Sequence, residues 1–210
     1  MKHELQSIIS GKNSVRHGAA ISAAARYLER SARTSALAKK DKYYKNKETE
    51  VLVEFVDLNH LWINNLDYSQ FVSEGAEQRV YLVDSKYVIK LNDAIYYESW
   101  LDYFYNLLLH NYFFEDTAYW LEGFCKANEK LYAIVKQPFV KATEKTDLQL
   151  VKDFLLQNGF SLIRNNDYFH EEYGIILEDL HDENVLTQNG ILQFIDTVFY
   201  LTPAFFNTEQ

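Results

Sequence analysis

Three oxygen-bearing side chains stand close together near the C-terminal end of the sequence. In the run ILEDLHDENVL followed by ILQFID they are Asp179, Asn184 and Asp196. Mg²⁺ prefers oxygen ligands and usually takes one or two carboxylates together with substrate phosphates. Asn184 and Asp196 are therefore candidate metal ligands, and Asp179 could orient an attacking hydroxyl and accept its proton. The simpler alternative is an acidic loop that caps a hairpin.

A predicted hairpin brings two of these groups to the same point. Asn189-Gly190 separates two β-like runs, and a type I′ turn needs positive φ at both central residues, which Asn-Gly supplies. Counted back from this turn, Asn184 faces Ile195, and Asp196 lies one position further. The hairpin thus predicts that an amide oxygen and a carboxylate share one open end.

A second pair of charged residues precedes this hairpin by about half the chain. Lys90 ends the β-rich run YVIKL, and an ammonium there can neutralise phosphate oxygens. Helical periodicity from residue 94 to about 114 places Glu98 on the apolar face, where a carboxylate needs a partner. Lys90 is the natural partner. The alternative is an ordinary surface lysine and an ordinary surface glutamate.

The rest of the pattern indicates an alternation of helices and strands that could position these groups. A helix is predicted over 14–37, a polar linker over 39–50, a β-hairpin over 79–91, a strand over 131–135 and a helix over 147–157.

The ordered motifs GAEQRVYL, YVIKL, GIILEDLHDENVL and ILQFID resemble the protein-kinase-like superfamily. They are most similar to the short kinase-like domains of phage and conjugative-element polyvalent proteins. The Asp-x-His-x-x-Asn loop is also shared with aminoglycoside and choline phosphotransferases. The resemblance covers roughly residues 70–200.

This resemblance implies an α+β fold, a reduced two-lobed protein-kinase-like fold with an antiparallel sheet in the small lobe and an N-terminal helical extension. The expected division is a basic helical extension and linker over 1–48 and a kinase-like domain over 49–210. Within that domain the small lobe would reach about residue 138, the hinge would be 137–140, and a reduced second lobe would follow.

The resemblance also implies a nucleotide site. Gly75 would lie in the loop over the phosphates. Lys90 would contact the α- and β-phosphates and pair with Glu98. Gln137 and Phe139 would flank adenine, whose edge would pair with backbone groups of the hinge.

For the chemical step the resemblance makes Asp179 the catalytic base and gives Mg²⁺ to Asn184 and Asp196. His181 would support the loop. Two departures stand out: Thr197 follows the metal-binding aspartate where protein kinases have Phe-Gly, and few residues remain after it to form a substrate platform.

Three functions follow as hypotheses. The first is a Mg-ATP-dependent phosphotransferase that acts on a protein serine or threonine, or on itself. The second is a pseudokinase that senses nucleotide or binds a partner without catalysis. The third is a small-molecule kinase of the aminoglycoside type. ATP and Mg²⁺ are the expected cofactors.

Composition limits the partners and the compartment. Residues 1–50 hold 11 Lys or Arg against 5 Asp or Glu, whereas the remainder holds 10 against 25, so an acidic body opposes nucleic-acid binding. The one cysteine, Cys125, excludes an intrachain disulfide and reads as a small buried side chain. Apolar runs are too short to span a bilayer. A cytoplasmic protein with no membrane partner is expected.

Overall fold

The computed structural model describes residues 1–34, 42–66, 69–74 and 78–207. Within these ranges the chain forms a mixed fold of helices and antiparallel sheets, in agreement with the predicted α+β class. Its elements are α1 (Lys2–Ile9), α2 (Ala19–Thr34), α3 (Lys42–Leu58), β1 (Phe71–Glu74), β2 (Gln78–Leu82), β3 (Tyr87–Asn92), α4 (Trp100–Phe113), a 3₁₀ turn (Glu115–Thr117), β4 (Trp120–Ala127), β5 (Lys130–Pro138), α5 (Leu148–Gln157), β6 (Ser161–Arg164), β7 (Asp167–His170), β8 (Ile175–Glu178), β9 (Val185–Gln188), β10 (Ile191–Phe194), β11 (Val198–Leu201) and α6 (Pro203–Phe206).

The first sheet has five antiparallel strands in the order β1-β2-β3-β5-β4. The predicted hairpin over 79–91 is confirmed as β2 and β3, and the predicted strand over 131–135 lies inside β5. Lys90, in β3, stands opposite Val80 of β2 and Val135 of β5. It is thus fixed in the middle of the sheet.

Helix α4 begins later than the periodicity predicted. Ser99 is its N-cap, and the Ser99 Oγ atom accepts a hydrogen bond from the backbone N–H of Asp102. The predicted start at Ala94 is wrong because this residue has a φ of 54°, which a right-handed helix does not contain. Glu98 consequently lies before the cap, outside the helix.

The predicted helix over 14–37 is observed as α2, which begins at Ala19; its predicted last residues, 35–37, lie outside the described residues. Residues 39–41 also lie outside the described residues, and the predicted linker over 39–50 is wrong from Lys42 onwards, where helix α3 begins and continues to Leu58. Its charged first half reads as a loop in the sequence, yet Leu52, Phe55 and Val56 are buried in the core. Tertiary packing of that apolar side stabilises a helix that local composition alone does not indicate.

The N-terminal helices share one hydrophobic core with the rest of the chain. Leu5 of α1 and Ile21 and Leu28 of α2 are buried in the cluster that contains Phe104 of α4 and Phe124 of β4. The basic extension therefore packs against α4 and the first sheet. No helix in the described ranges has the length and apolar character needed to cross a membrane.

The C-terminal part holds a hairpin and a second sheet. Strands β9 and β10 pair around Asn189 and Gly190, whose φ values are 50° and 77°, so the predicted turn is confirmed. A four-stranded antiparallel sheet, in the order β11-β8-β7-β6, lies beside it. The predicted helix over 147–157 is observed as α5.

Candidate functional site

The open end of the β9-β10 hairpin carries the two predicted metal ligands. The carbonyl oxygen of Asn184 accepts hydrogen bonds from the backbone N–H groups of Ile195 (2.9 Å) and Asp196 (3.3 Å). Asn184 therefore faces Ile195 as the register predicted. Asn184 and Asp196 both line the cleft between the hairpin and the first sheet.

Asp179 is held beside them in an unusual backbone conformation. Its φ is 66°, a left-handed value that costs energy in a residue with a side chain. The Nδ2 atom of Asn184 donates to both Asp179 O and Asp179 Oδ2 at 2.9 Å, and the backbone N–H of Asp179 donates to Asp167 Oδ1 at 3.2 Å. Because these bonds occupy the nitrogen of Asn184, its amide oxygen is the end suited to a cation.

His181 contacts the other oxygen of Asp179. The His181 Nδ1 atom accepts from the backbone N–H of Glu183 at 3.3 Å, and the Asn184 Nδ2 atom lies 3.2 Å from His181 Nε2. That Nε2 atom lies 3.2 Å from Asp179 Oδ1. Each Asp179 oxygen retains a lone pair, and its side chain is 57% exposed, so the carboxylate is open to an incoming hydroxyl.

Lys90 reaches the hairpin instead of Glu98. Its side chain is buried, and Nζ lies 2.9 Å from Ile195 O and 3.6 Å from Asp196 Oδ2. Glu98 is exposed and lines a separate cavity of about 230 Å³ with Asp102. The predicted Lys90–Glu98 contact is therefore wrong, because Glu98 precedes the helix that was expected to turn it inward.

A glutamine that the sequence reading missed also contacts this centre. Gln78 begins β2, and its Nε2 atom donates to Asp196 Oδ2. The two residues are separated by more than a hundred positions in the chain, so no local pattern signals the contact. Asp196 thus receives a neutral donor and a cation from neighbouring strands of one sheet.

The cleft is lined by both apolar and charged side chains. Its volume is about 370 Å³. Val80 and Val88 line it from the sheet, and Leu186 and Ile195 line it from the hairpin. Apolar side chains from two elements can enclose a ring, and the charged side chains of Lys90 and Asp196 line the same cleft.

Gln137 and Phe139 both line this cleft but differ in their roles. The side chain of Gln137 is buried, and its Nε2 atom donates to Thr117 O at 2.8 Å, so it fixes the end of β5. Phe139 is 37% exposed, and its backbone N–H donates to Lys86 O. Phe139 thus offers a ring surface to the cleft. Gly75 lies outside the described residues.

A second, larger cavity of about 550 Å³ adjoins the first cleft at the hairpin end. It shares Asn184 and Asp196 with the first cleft. Its carboxylates include Asp167, Glu178 and Asp179, and its aromatic lining is formed by Tyr96, Tyr97 and Tyr200. Burial raises the pKa of Glu178, and the negative charges of Asp167 and Asp179 raise it further, against the opposing effect of Arg164. The cavity is therefore a crowded anionic environment.

The donor set fits a magnesium ion that is completed by phosphate oxygens. In the described part of the chain, no three His, Cys, Asp or Glu side chains lie close enough together to hold a metal ion by themselves. The amide oxygen of Asn184 and the carboxylate of Asp196 are hard oxygen donors on one hairpin end. This partial set is what Mg²⁺ uses when substrate phosphates supply further ligands.

Comparison with known proteins identifies the family. Residues 45–203 match the model of a family described as a Serine/Threonine/Tyrosine kinase found in polyvalent proteins. The chain belongs to this kinase family. The family resemblance indicated by the sequence motifs is thereby confirmed. No curated protein and no solved structure matches the chain.

Proposed function

We propose that this kinase-family chain is a Mg²⁺- and ATP-dependent phosphotransferase that acts on serine or threonine hydroxyls of a protein, or on itself. One observation carries the proposal. The hairpin end presents Asn184 and Asp196 to a cleft that Lys90 also lines, and Asp179 lies in the adjoining cavity that shares Asn184 and Asp196. In this reading the first sheet and α4 form a small lobe, and the hairpin belongs to a reduced second lobe.

The cleft would bind the nucleotide along its length. Adenine would lie between Val88 on the sheet and Leu186 on the hairpin, near Phe139. The phosphates would then extend towards Lys90, whose ammonium neutralises their charge. Gly75 remains the predicted contact of the loop over the phosphates.

Asn184 and Asp196 would hold Mg²⁺, which when bound neutralises charge on the phosphate oxygens. Before binding, the carboxylate of Asp196 is oriented by Gln78 and by Lys90. These contacts hold the carboxylate in the lining of the cleft, so the Asp196 side chain needs little rearrangement when Mg²⁺ and the nucleotide bind.

Asp179 would act on the acceptor hydroxyl. The hydroxyl oxygen forms a bond to the γ-phosphorus, the bond from that phosphorus to the bridging oxygen breaks, and ADP leaves with the electron pair. The hydroxyl proton passes to the carboxylate of Asp179, which Asn184 and His181 hold in place.

The acceptor would enter through the second cavity, which adjoins the nucleotide cleft at Asn184 and Asp196. Its carboxylates favour an acceptor that carries positive charge near the hydroxyl. A basic protein segment meets this requirement. A cationic amino sugar also meets it, and the same cavity therefore supports a small-molecule kinase as the second candidate.

The test is transfer of label from γ-labelled ATP with Mg²⁺. Three acceptors are compared: the chain alone, a serine peptide flanked by arginines, and a cationic amino sugar such as kanamycin. Asp179→Asn is the matched inactive variant, because asparagine tolerates the positive φ at this position. We expect transfer with the wild type, a loss of at least about 10²-fold in Asp179→Asn, and retained nucleotide binding.

The acceptor that is labelled decides between the candidates. Label on the chain or the basic peptide supports a protein kinase, and label on the amino sugar alone supports the small-molecule kinase. Nucleotide binding that requires Asp196, with no transfer to any acceptor, would support a pseudokinase. If neither binding nor transfer occurs in the wild type, the proposed function is wrong.

A further inference from the structure

The backbone before Asp196 is tied to the side of the first sheet by hydrogen bonds from buried groups. Thr117 Oγ1 donates to Phe194 O at 2.5 Å, and Tyr119 OH donates to Ile195 O at 2.8 Å. Both donors lie in the connection between α4 and β4. The chain that enters the metal-binding position is therefore fixed by neighbours that do not contact the cleft's metal ligands.

The residue after Asp196 is tied by its side chain. Thr197 Oγ1 lies 2.7 Å from the Nδ1 atom of His110, which is on α4. His110 is fully buried and Thr197 is 1% exposed. A hydroxyl and an imidazole in such surroundings would each lose free energy if the other were removed. The contact therefore links α4 to the position next to Asp196.

The direction of this hydrogen bond follows from the other side of the ring. The Nε2 atom of His110 lies 3.1 Å from Thr117 O, a carbonyl that can only accept, so Nε2 carries the proton. Burial, helped by the nearby charge of Lys90 and opposed by the hydrogen bond to Thr117, lowers the pKa of His110 to about 3, so the ring is neutral. Nδ1 is then an acceptor, and the Thr197 hydroxyl donates to it.

We propose that His110 and Thr197 are positioning residues for the metal site, which hold Asp196 in place through the backbone that follows it. The inference rests on the proposed function, because it concerns the Mg²⁺ that Asp196 would bind. The Thr197–His110 hydrogen bond takes the place of the absent Lys90–Glu98 contact in connecting the helix after β3 to the catalytic centre. Thr197 thereby gains a role at the position where the sequence departs from the Phe-Gly of protein kinases.

A purely structural role for the same hydrogen bond is the alternative, and the hairpin contains a matched control. Thr187 is also buried, and its Oγ1 donates to Thr146 Oγ1 at 3.0 Å. It lies near the turn end of β9, whereas Thr197 lies beyond the open end of the hairpin. Thr197→Val and Thr187→Val each remove one buried hydroxyl with little change of shape. Only Thr197→Val should weaken Mg²⁺ binding.

The experiment measures binding of the nonhydrolysable nucleotide AMP-PNP while Mg²⁺ is varied. The quantity compared is the Mg²⁺ concentration at half-maximal binding. Groups that orient a metal ligand without binding the metal themselves typically contribute 10- to 100-fold to metal affinity. We therefore expect Thr197→Val to raise the half-maximal Mg²⁺ concentration by about tenfold or more. Thr187→Val should leave it within about twofold of wild type, at a similar loss of thermal stability.

Two variants of His110 test its hydrogen bonds to Thr197 and to Thr117 one at a time. Asparagine places a polar atom near the position of Nδ1, whereas glutamine places one near the position of Nε2. His110→Asn should retain an acceptor for Thr197 and a half-maximal Mg²⁺ concentration close to wild type. His110→Gln should retain the contact with Thr117 and show the raised concentration. If Thr197→Val does not fold, the comparison of His110→Asn with His110→Gln still tests the positioning role.

The outcomes distinguish the two proposals. If wild-type protein binds AMP-PNP but Thr197→Val and Thr187→Val respond equally to Mg²⁺, the positioning role is overturned and the proposed function stands. Equal Mg²⁺ dependence in His110→Asn and His110→Gln overturns it as well. If the wild type binds no Mg²⁺-dependent nucleotide, the proposed function fails and the positioning role fails with it.

Discussion

Lys90 and Asp196 face each other in the lining of the cleft, with the Lys90 Nζ atom 3.6 Å from Asp196 Oδ2. The lysine side chain is 5% exposed and that of the aspartate is 26% exposed, so a nearly buried ammonium meets a partly hydrated carboxylate. Such a pair leaves both charges close to where phosphates and a metal would bind. The sheet and the hairpin therefore meet through groups that the proposed ligands would also use.

The first prediction compares the effects of substituting Lys90 and Glu98 on the rate of phosphoryl transfer. Lys90→Met should lower phosphoryl transfer by at least about 10²-fold, because a preorganised positive charge is removed from the phosphate site. Glu98→Gln should leave the rate within about twofold of wild type, since Glu98 is exposed and lies on another cavity. Initial rates and AMP-PNP affinity check both variants. Equal losses in the two variants would show that Glu98 turns inward when nucleotide binds.

The second prediction concerns acid stability. The pKa of His110 is lowered to about 3 in the folded protein, whereas an unfolded histidine titrates near 6.5. Between these values the unfolded state binds a proton that the folded state does not, so stability is lost as the pH falls below 6.5. At pH 5 this protonation has lowered the free energy of unfolding by about 2 kcal/mol. Above pH 6.5, the effect of His110 on the free energy of unfolding does not vary with pH.

Urea unfolding of wild type and His110→Asn at pH 7.5 and pH 5.0 measures this contribution. The free energy of unfolding lost in His110→Asn should be smaller at pH 5.0 by about 2 kcal/mol, because the variant has no imidazole to protonate. A difference between wild type and variant that is the same at both pH values would mean that the folded protein can protonate His110 easily.

The parts of the site that the sequence predicted are those fixed by local rules. The Asn189-Gly190 turn sets the register of β9 and β10, and the period of two residues then places Asn184 opposite Ile195. The position of Lys90 in β3 follows from the short hairpin before it. None of these features depends on contacts between distant segments.

The parts that were missed depend on tertiary contacts or on one capping residue. Ser99 and Asp102 form a local cap that could have been recognised, and it moves Glu98 out of the helix. The contact of Gln78 with Asp196 joins segments that only the folded chain brings together. The same is true of His110 and Thr197. A buried histidine in an aromatic-rich helix reads as core until its partner is known.

The third prediction compares two glycines. Gly190 has a φ of 77°, and a Cβ atom added there would meet nothing within 4 Å, so Gly190→Ala should cost only backbone strain of about 1 kcal/mol. A Cβ atom at Gly123 would lie 2.5 Å from Leu61 O, a backbone atom that accepts from Phe124 N. Gly123→Ala should therefore cost about 3 kcal/mol. Urea unfolding measures both, and equal losses would contradict the steric argument at Gly123.

The last prediction tests whether the N-terminal helices are a separable extension. Ile21 and Leu28 of α2 are buried in the core cluster that includes α4, whereas Arg30 on the same helix is exposed. Ile21→Ala and Leu28→Ala should each lower the free energy of unfolding of the whole chain by about 2–4 kcal/mol. Arg30→Ala should change it by less than about 0.5 kcal/mol.

Unfolding followed by tryptophan fluorescence and by far-ultraviolet circular dichroism provides the readout. Trp62, Trp100 and Trp120 lie in the kinase-like part of the chain, but Trp120 stacks on His17 of the extension with ring centroids 3.6 Å apart. In a Trp120→Phe background, fluorescence therefore reports on the kinase-like part, while circular dichroism includes the N-terminal helices. If the helices and the kinase-like part share one core, the two signals change together and both shift in Ile21→Ala. If the division at residue 48 separates independent units, only the circular dichroism transition shifts. A shared transition would make the extension a structural part of the kinase-like domain, since α4, which it supports, also carries His110, whose ring contacts Thr197 next to the proposed metal ligand Asp196.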